Sequence, residues 1–149
     1  MNRGNIALFV PHVGCPCRCS FCDQRAITGG AQPPTPDQVW EAAKAGADRW
    51  GEKVNQMEIA FFGGSFTAIP REYMVALLEP AKKAVERWGY YGIRCSTRPD
   101  AVDEEILVLL KSYHGTAVEL GAQSMDEEVL RLNRRGHTAE DTRRCLLYT

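Results

Sequence analysis

The sequence lacks three features that assign a protein to a broad functional class at once. Its 18 lysines and arginines nearly balance its 19 aspartates and glutamates, so a net charge of −1 produces no global field that attracts nucleic acid or an anionic membrane. No apolar run approaches the roughly 20 residues that a membrane span requires. The first ten residues hold one arginine and a short apolar run that ends before Pro11, a pattern unlike that of a secretory leader. We therefore expect a cytoplasmic protein that does not enter a membrane.

The cysteines are not spread as in a disulfide framework or a zinc ribbon. Four of the six lie in the stretch CPCRCSFC, residues 15–22. A cytosolic protein keeps its thiols reduced, so this clustering indicates metal binding or catalysis. A structural zinc site usually takes two separated pairs, and no second pair follows at that spacing. Thiolates on one short loop suit an iron–sulfur cluster better, and Cys15-x₃-Cys19-x₂-Cys22 would supply three ligands and leave one iron open.

Hydrophobic periodicity predicts four strands alternating with helices. The strands are predicted at residues 5–10, 57–62, 92–97 and 116–120. Helix starts are predicted at Thr35, Pro70, Asp103 and Thr138, with a further short helix around residues 127–132 and a kink or break at Pro80. Alternation of this kind predicts right-handed βαβ crossovers and a parallel sheet covered by helices. With no repeat, low-complexity run or linker, residues 1–149 are expected to form one domain.

Polar or glycine-rich segments follow each predicted strand. They are the cysteine loop and the sequences GGSF, TRPD and GAQS. In parallel α/β folds the chemistry lies at the carboxyl ends of the strands, so all four segments should converge on one edge of the sheet. Glycine at positions 63 and 64 would let the backbone approach a ligand closely.

The motifs together resemble those of the radical S-adenosylmethionine (SAM) superfamily. The spacing Cys15-x₃-Cys19-x₂-Cys22 after a first strand, with Phe21 just before the last cysteine, is similar to its cluster-binding motif. The sequences FFGGSF, STRPD, ELGAQS and RRGHT occur in the order and spacing of its Elongator catalytic-subunit-like branch. The oxygen-independent coproporphyrinogen oxidases share a looser version. The resemblance covers residue 9 to about residue 142.

This resemblance implies a fold, two cofactors and a reaction. The fold is the N-terminal four βα units of a partial β/α barrel, and because the chain ends inside a predicted helix we expect a longer protein, truncated here. Cys15, Cys19 and Cys22 would bind a 4Fe–4S cluster, and SAM would chelate the open iron. Cleavage of SAM would then give methionine and a 5′-deoxyadenosyl radical that abstracts hydrogen from the substrate. The electron would come from a donor such as flavodoxin or ferredoxin.

Matching the motifs residue by residue assigns the SAM contacts. They are Phe21, Gly63, Gly64, Ser65, Gln123 and Arg135. The resemblance implies that the glycine motif contacts the methionine amino group of SAM and that the phenylalanine lies near the adenine. It also implies that the arginine pairs with the SAM carboxylate through its bidentate guanidinium. Ser96 departs from the family, because relatives often carry a glutamate there that contacts SAM. Cys17 is also unusual, and we expect it not to bind the cluster because it would occupy the place of SAM.

Several roles stay open at the level of the sequence. Arg98 and Asp100 could contact substrate or SAM, or pair with each other, and His137 could donate a proton or serve the structure. A group of arginines could form a basic face for tRNA or a solvated helix surface: Arg131, Arg134, Arg135, Arg143 and Arg144. The Elongator branch implies tRNA modification. The alternatives are a coproporphyrinogen-oxidase-like reaction on a small molecule and a non-catalytic iron–sulfur or metal-binding module.

Overall fold

A computed structural model describes residues 4–11, 19–22 and 32–148. Within these ranges four parallel strands form one sheet in the order β1-β2-β3-β4. The strands are β1 (Gly4–Val10), β2 (Met57–Gly63), β3 (Gly92–Thr97) and β4 (Gly115–Leu120). Because crossovers between parallel strands are right-handed, this sequential order places the connecting helices on one face of the sheet, as in the wall of a β/α barrel.

The helices follow the strands in turn. They are α1 (Pro36–Trp50), α2 (Arg71–Trp88), α3 (Glu104–Ser112), α4 (Glu127–Leu132) and α5 (Ala139–Tyr148). Short 3₁₀ turns at Gly51–Gln56, Phe66–Ala68 and Pro99–Ala101 complete the connections. The predicted α/β fold of repeated βα units is confirmed. None of the helices in the described part of the chain is both long and apolar enough to cross a membrane.

Helix starts agree with the capping residues in the sequence. Thr35 accepts a hydrogen bond from the amide of Gln38 at 3.3 Å, and the Gln38 side chain accepts one from the Thr35 amide at 2.9 Å. Asp103 caps α3 by accepting from Ile106 at 2.8 Å. The expected break at Pro80 does not occur, because α2 continues through that residue to Trp88.

The hydrophobic core lies between the sheet and the first three helices. Fully buried side chains of β2 and β3, such as Phe61 and Ile93, pack with those of the helices, such as Val39 and Leu77. The first strand was expected to be buried, but it alternates between buried and exposed residues. Ile6, Leu8 and Val10 lie on the face that the core covers, whereas Asn5, Ala7 and Phe9 lie on the opposite, exposed face.

Opposite the helices, the sheet carries a ladder of charges. Successive strand residues point to opposite faces, so Glu58 and Arg94 lie on the other side from Ile59 and Ile93. Arg94 contacts Glu58 at 2.8 Å on one side and Glu119 at 2.6 Å on the other. Glu58 is fully buried and is paired there, which satisfies the requirement for burying a carboxylate.

Candidate functional site

A cavity of about 250 Å³ opens at the carboxyl ends of the strands. Its lining includes every described residue among the predicted cluster ligands and SAM contacts: Cys19, Phe21, Cys22, Gly63, Gly64, Ser65, Gln123 and Arg135. Four further residues complete the wall: Ser96 and Arg98, whose roles the sequence left open, and Thr97 and Gly121. The expectation that the four post-strand segments meet at one edge of the sheet therefore agrees with the geometry of the described residues.

Gly63 shapes the floor of this cavity at the end of β2. Its φ angle of 115° lies in the region that side chains rarely adopt. A Cβ atom at this position would lie 2.6 Å from the carbonyl oxygen of Val10 and 2.8 Å from the ring of Phe9. The next amide, that of Gly64, donates to the same Val10 oxygen at 3.0 Å. The space and the backbone angle both require glycine at position 63.

The loop after β4 forms the opposite wall. The amide of Gly121 donates to the carbonyl of Thr97 at 2.8 Å, so the ladder between β3 and β4 continues into the loop. Two residues later, Gln123 has a φ angle of 65°, a left-handed conformation that is uncommon outside glycine. Such strain occurs often at binding sites, where the surrounding structure holds it in place.

The cysteine segment is attached to the chain that follows α4. Ser20 donates from its amide to the Asn133 carbonyl at 3.2 Å and from its hydroxyl to Asn133 Oδ1 at 2.6 Å. The Cys19 thiol lies 3.8 Å from the carbonyl oxygen of Arg134. A turn brings the Cys22 amide to the Cys19 carbonyl at 3.1 Å. These contacts fix the two described cysteines of the predicted ligand set against residues 133–134.

Arg135 reaches the cysteine segment with its side chain. Its Nη1 donates to Sγ of Cys19 at 3.4 Å, and its Nη2 donates to the carbonyl of Gly121. The guanidinium carbon lies 5.6 Å from the ring centre of Phe21, a cation–π distance. Its Nε is buried and has no partner among the described residues. A buried donor without an acceptor is costly, and an anionic ligand group would relieve it.

Arg98 and Asp100 pair with each other, which was one of the alternatives left open by the sequence. Nε and Nη2 of Arg98 donate to the two carboxylate oxygens at 2.5 and 2.7 Å, the bidentate geometry that a guanidinium favours. Nη2 also donates to the backbone carbonyl of Arg135 at 3.2 Å. Arg98 is almost completely buried, so this pair ties the segment after β3 to the segment after α4.

The predicted metal ligands can be compared with the structure only in part, since Cys15 lies outside the described residues, as does Cys17. Among the residues that are described, no three His, Cys, Asp or Glu side chains converge as metal ligands. Cys19 and Cys22 are both free thiols in the cavity wall. Two thiols on one turn beside a cationic side chain suit an iron–sulfur cluster with a third thiolate from the same loop. The orphaned Nε of Arg135 suits a small anionic ligand.

Other polar residues singled out by the sequence lie elsewhere. His137 is buried outside the cavity wall, and its Nε2 donates to the carbonyl of Ala122 at 3.2 Å. Burial lowers the pKa of this imidazole, and the nearby charge of Arg135 lowers it further. Cys95 and Cys145, the two cysteines outside the clustered stretch, are buried like small apolar residues, and burial raises the pKa of the Cys95 thiol to about 12.

The suggested basic face is largely neutralised by neighbouring carboxylates. Three of its arginines form ion pairs within 4.0 Å with acidic residues three positions earlier on the same helix. The pairs are Arg131 with Glu128, Arg143 with Glu140 and Arg144 with Asp141. Arg135 points into the cavity. This arrangement is typical of a solvated helix surface.

Comparison with known proteins identifies the family. The sequence profile of the radical SAM superfamily matches residues 9–148. The chain belongs to the radical SAM superfamily. Among curated relatives, the chain is 31% identical over 115 residues to the tRNA uridine(34) acetyltransferase of Methanocaldococcus jannaschii, which covers 64% of the chain and 21% of that protein. It is 31% identical over 107 residues to Elongator complex protein 3 of Homo sapiens, a match that covers 60% of the chain and 20% of that protein.

A second branch of the radical SAM superfamily also matches. The oxygen-independent coproporphyrinogen-III oxidase-like protein HemZ of Bacillus subtilis is 26% identical over 158 residues, covering 94% of the chain and 29% of that protein. The solved structure of archaeal Methanocaldococcus infernus Elp3 with an N-terminal deletion (1–46) has a TM-score of 0.60 at 23% identity. The match covers 97% of this chain and 35% of the Elp3 chain, and the two structures agree in fold. The chain thus spans about a fifth to a third of these relatives. The predicted resemblance to both branches is confirmed.

Two residues of the cavity wall, Thr97 and Gly121, were not singled out in the sequence, although both lie in the segments expected at this edge of the sheet. They are paired across β3 and β4, and this pairing follows from strand register once each strand end is known. Arg98 and Ser96, which the sequence had named as a possible contact and as a departure from the family, adjoin Thr97 at the end of β3.

Proposed function

We propose that this chain binds a 4Fe–4S cluster and SAM and is the radical-generating part of an enzyme that modifies tRNA. The observation that carries the proposal is the single cavity lined by Cys19, Cys22, the glycine turn at residues 63–65 and Arg135. Family membership and the tRNA-modifying relatives support the same function. We further propose that the enzyme acts in the cytoplasm and takes its electron from a flavodoxin- or ferredoxin-like donor.

The cluster would be held by thiolates of Cys15, Cys19 and Cys22. When bound and reduced, it supplies the electron that cleaves SAM to methionine and a 5′-deoxyadenosyl radical. In this proposal the protein contributes binding, orientation and exclusion of water. Cys19 is buried, which suits a ligand shielded from solvent, and its position is fixed by the contacts of the segment with residues 133–135.

SAM would lie across the cavity between the two strand ends. The backbone at Gly63 and Gly64 would approach its amino group, and Ser65, whose side chain is almost completely buried beside them, would add a hydroxyl. Arg135 keeps three N–H groups, one of them Nε, after its contacts with Cys19 and Gly121. These would meet the carboxylate. Phe21 and Gln123 would line the adenosine side.

Anaerobic reconstitution tests the proposal. Protein incubated with iron and sulfide should gain the visible absorbance of a cubane cluster, and with dithionite and SAM it should release 5′-deoxyadenosine. Cys19→Ala and Cys22→Ala should lose both, since each leaves an iron without a thiolate. Cys145→Ala, a buried cysteine outside the cavity, should keep both. Tightly bound zinc in tetrahedral sulfur coordination, with no cluster, would refute the proposal and favour a non-catalytic metal-binding module.

A second candidate is a coproporphyrinogen-oxidase-like reaction on a small molecule. The neutralised arginines of α4 and α5 favour it, because they provide little of the positive charge that tRNA binding requires. The match to HemZ also covers most of the chain. Titration with unmodified tRNA at low and moderate salt separates the two. Binding that weakens as salt rises supports tRNA, whereas no binding at low salt supports a small substrate.

A further inference from the structure

Arg135 contacts the predicted cluster ligand Cys19 directly, through a hydrogen bond of 3.4 Å from Nη1 to Sγ. The motif match made from the sequence gave this arginine to the SAM carboxylate and did not relate it to the cluster. Donor groups on a ligating sulfur are among the means by which proteins set the reduction potential of an iron–sulfur cluster. The contact therefore has a consequence for the cofactor that is separate from SAM binding.

The guanidinium is held in place from several directions. Nη2 is anchored on the carbonyl of Gly121, and the ring of Phe21 lies 5.6 Å from the guanidinium carbon. The backbone amide of Arg135 donates to Leu130 at 3.0 Å, and its carbonyl accepts from Arg98 at 3.2 Å. With both the backbone and the tip fixed, the donor to Cys19 loses little freedom when the sulfur becomes charged.

The second neighbour of the sulfur has the opposite effect. The carbonyl oxygen of Arg134 lies 3.8 Å from Sγ of Cys19 and can accept from a protonated thiol. A cysteine that binds iron is a thiolate and has no proton to donate. In that state the carbonyl dipole disfavours negative charge on the sulfur, and the Arg135 cation with its N–H group favours it.

We propose that Arg135 raises the reduction potential of the cluster by donating a charge-assisted hydrogen bond to the Cys19 thiolate. The inference rests on the proposed function, since it requires the cluster to be present. Reduction adds one negative charge, and a fixed cation and donor beside a ligand sulfur stabilise the reduced state more than the oxidised state. Arg135 is thus a positioning and tuning residue for the cofactor before SAM enters.

A potentiometric titration of reconstituted protein without SAM, followed by electron paramagnetic resonance, tests this. Arg135→Gln should lower the potential, so that at a fixed solution potential the ratio of reduced to oxidised cluster falls about tenfold, or about 59 mV for a one-electron couple. Arg135→Lys keeps a cation without the planar guanidinium, so its reduction potential should lie between those of the parent and of Arg135→Gln. Arg131→Gln removes an exposed arginine of the neighbouring helix and should leave the potential unchanged.

Iron and sulfide content are measured on every sample, with circular dichroism as a check of folding. A potential for Arg135→Gln equal to that of the parent would overturn the inference. Loss of the cluster from both Arg135 variants would also overturn it, because the side chain would then serve assembly rather than tuning. A parent protein that takes up no cluster would overturn the proposed function itself. As a second readout, the parent should show an exchangeable proton coupled to the reduced cluster that Arg135→Gln lacks.

Discussion

Arg94 forms a salt bridge with Glu58 across β2 and β3, with 2.8 Å between Nη2 and Oε2. Only about 1% of the Glu58 side chain is exposed, whereas a quarter of Arg94 is. The hydroxyl of Thr116 donates to the other oxygen of Glu58 at 2.7 Å. The carboxylate is therefore fully partnered in the folded protein and would be left with one hydrogen bond if the arginine were removed.

Arg94→Met should for this reason destabilise the fold strongly. Leaving a buried charge without its partner costs about 3–5 kcal/mol of unfolding free energy, measured by urea denaturation. Arg71→Met, which breaks an exposed pair with Glu105, should cost less than about 1 kcal/mol. The double variant Glu58→Gln/Arg94→Met should recover part of the loss. A single Arg94 variant as stable as the Arg71 variant would contradict the burial argument.

Gly63→Ala should be more damaging than Gly89→Ala, although both residues have a positive φ angle. At Gly89, after α2, a Cβ atom would have no other atom within 4 Å, so only the backbone penalty of about 1–2 kcal/mol applies. At Gly63 the methyl group would also collide with the carbonyl of Val10. Denaturant midpoints of the two variants measure the difference. Equal midpoints would show that the end of β2 accommodates the methyl group at no extra cost in unfolding free energy.

His137 should make stability depend on pH between neutral and mildly acidic conditions. Burial, Arg135 and Arg98 lower the pKa of its imidazole, while the Ala122 carbonyl and Asp100 oppose them. The unfolded side chain takes up a proton near its ordinary pKa of 6.5, and the folded one does so only at lower pH. Stability therefore decreases as pH falls below this value, since the unfolded state then binds more protons.

The substitution His137→Gln should flatten that dependence. Unfolding free energies at about pH 7.5 and about pH 5.5 should differ more in the parent than in the variant, by at most about 1.4 kcal/mol, the limit for an imidazole that binds no proton when folded. His114→Gln, at an exposed position, serves as the control. An equal drop in the parent and in His137→Gln would contradict this assignment.

Arg135→Ala should weaken SAM binding about ten- to a hundredfold, the effect of losing a charge-assisted pair worth about 1.5–3 kcal/mol. Calorimetric titration of the reconstituted protein measures it. Arg134→Ala, an exposed neighbour, should bind SAM as the parent does. Unchanged affinity in the Arg135 variant would remove this residue from the SAM site, whatever its effect on the cluster potential.

Cys17→Ala should keep its full cluster content and cleave SAM at or above the parent rate. A fourth thiolate on the cluster would occupy the iron that SAM must chelate, so the proposed function requires that Cys17 does not bind the cluster. Removing a spare thiol also removes a site of oxidation during assembly. Iron content and 5′-deoxyadenosine release are compared with Cys19→Ala. Should Cys17→Ala lose the cluster while Cys19→Ala keeps it, the choice of ligands would be wrong.

The sequence was sufficient for the features that depend on neighbouring residues. Strand alternation, the capping box at Thr35 and the cap at Asp103 are local, and the structure agrees with each of them. The meeting of the post-strand segments also followed, because parallel strands end at a common edge. The half-exposed character of β1 did not follow, since an apolar run alone does not reveal whether both faces of a strand are covered.

The pairings across the cavity could not be predicted in the same way. Arg135 and Cys19 are separated by 116 positions and Ser20 and Asn133 by 113, and no local pattern specifies which polar groups will meet over that distance. The motif match selected Arg135 for a different partner. Arg98 could have faced a ligand or Asp100, and only the packing of the segment after β3 against the segment after α4 decides between these.

The attachment of the cysteine segment to Asn133 also sets an order of events during synthesis. The ribosome adds about 5–20 residues per second, so the 113 positions between Ser20 and Asn133 take about 6–23 s to make. Throughout that interval Cys19 and Cys22 lack the partners that later hold them. Delivery of iron and sulfide before α4 is complete would meet an unorganised loop, and oxidants would meet unprotected thiols. On the proposed function, cluster loading would therefore follow translation of this segment and would require reducing conditions.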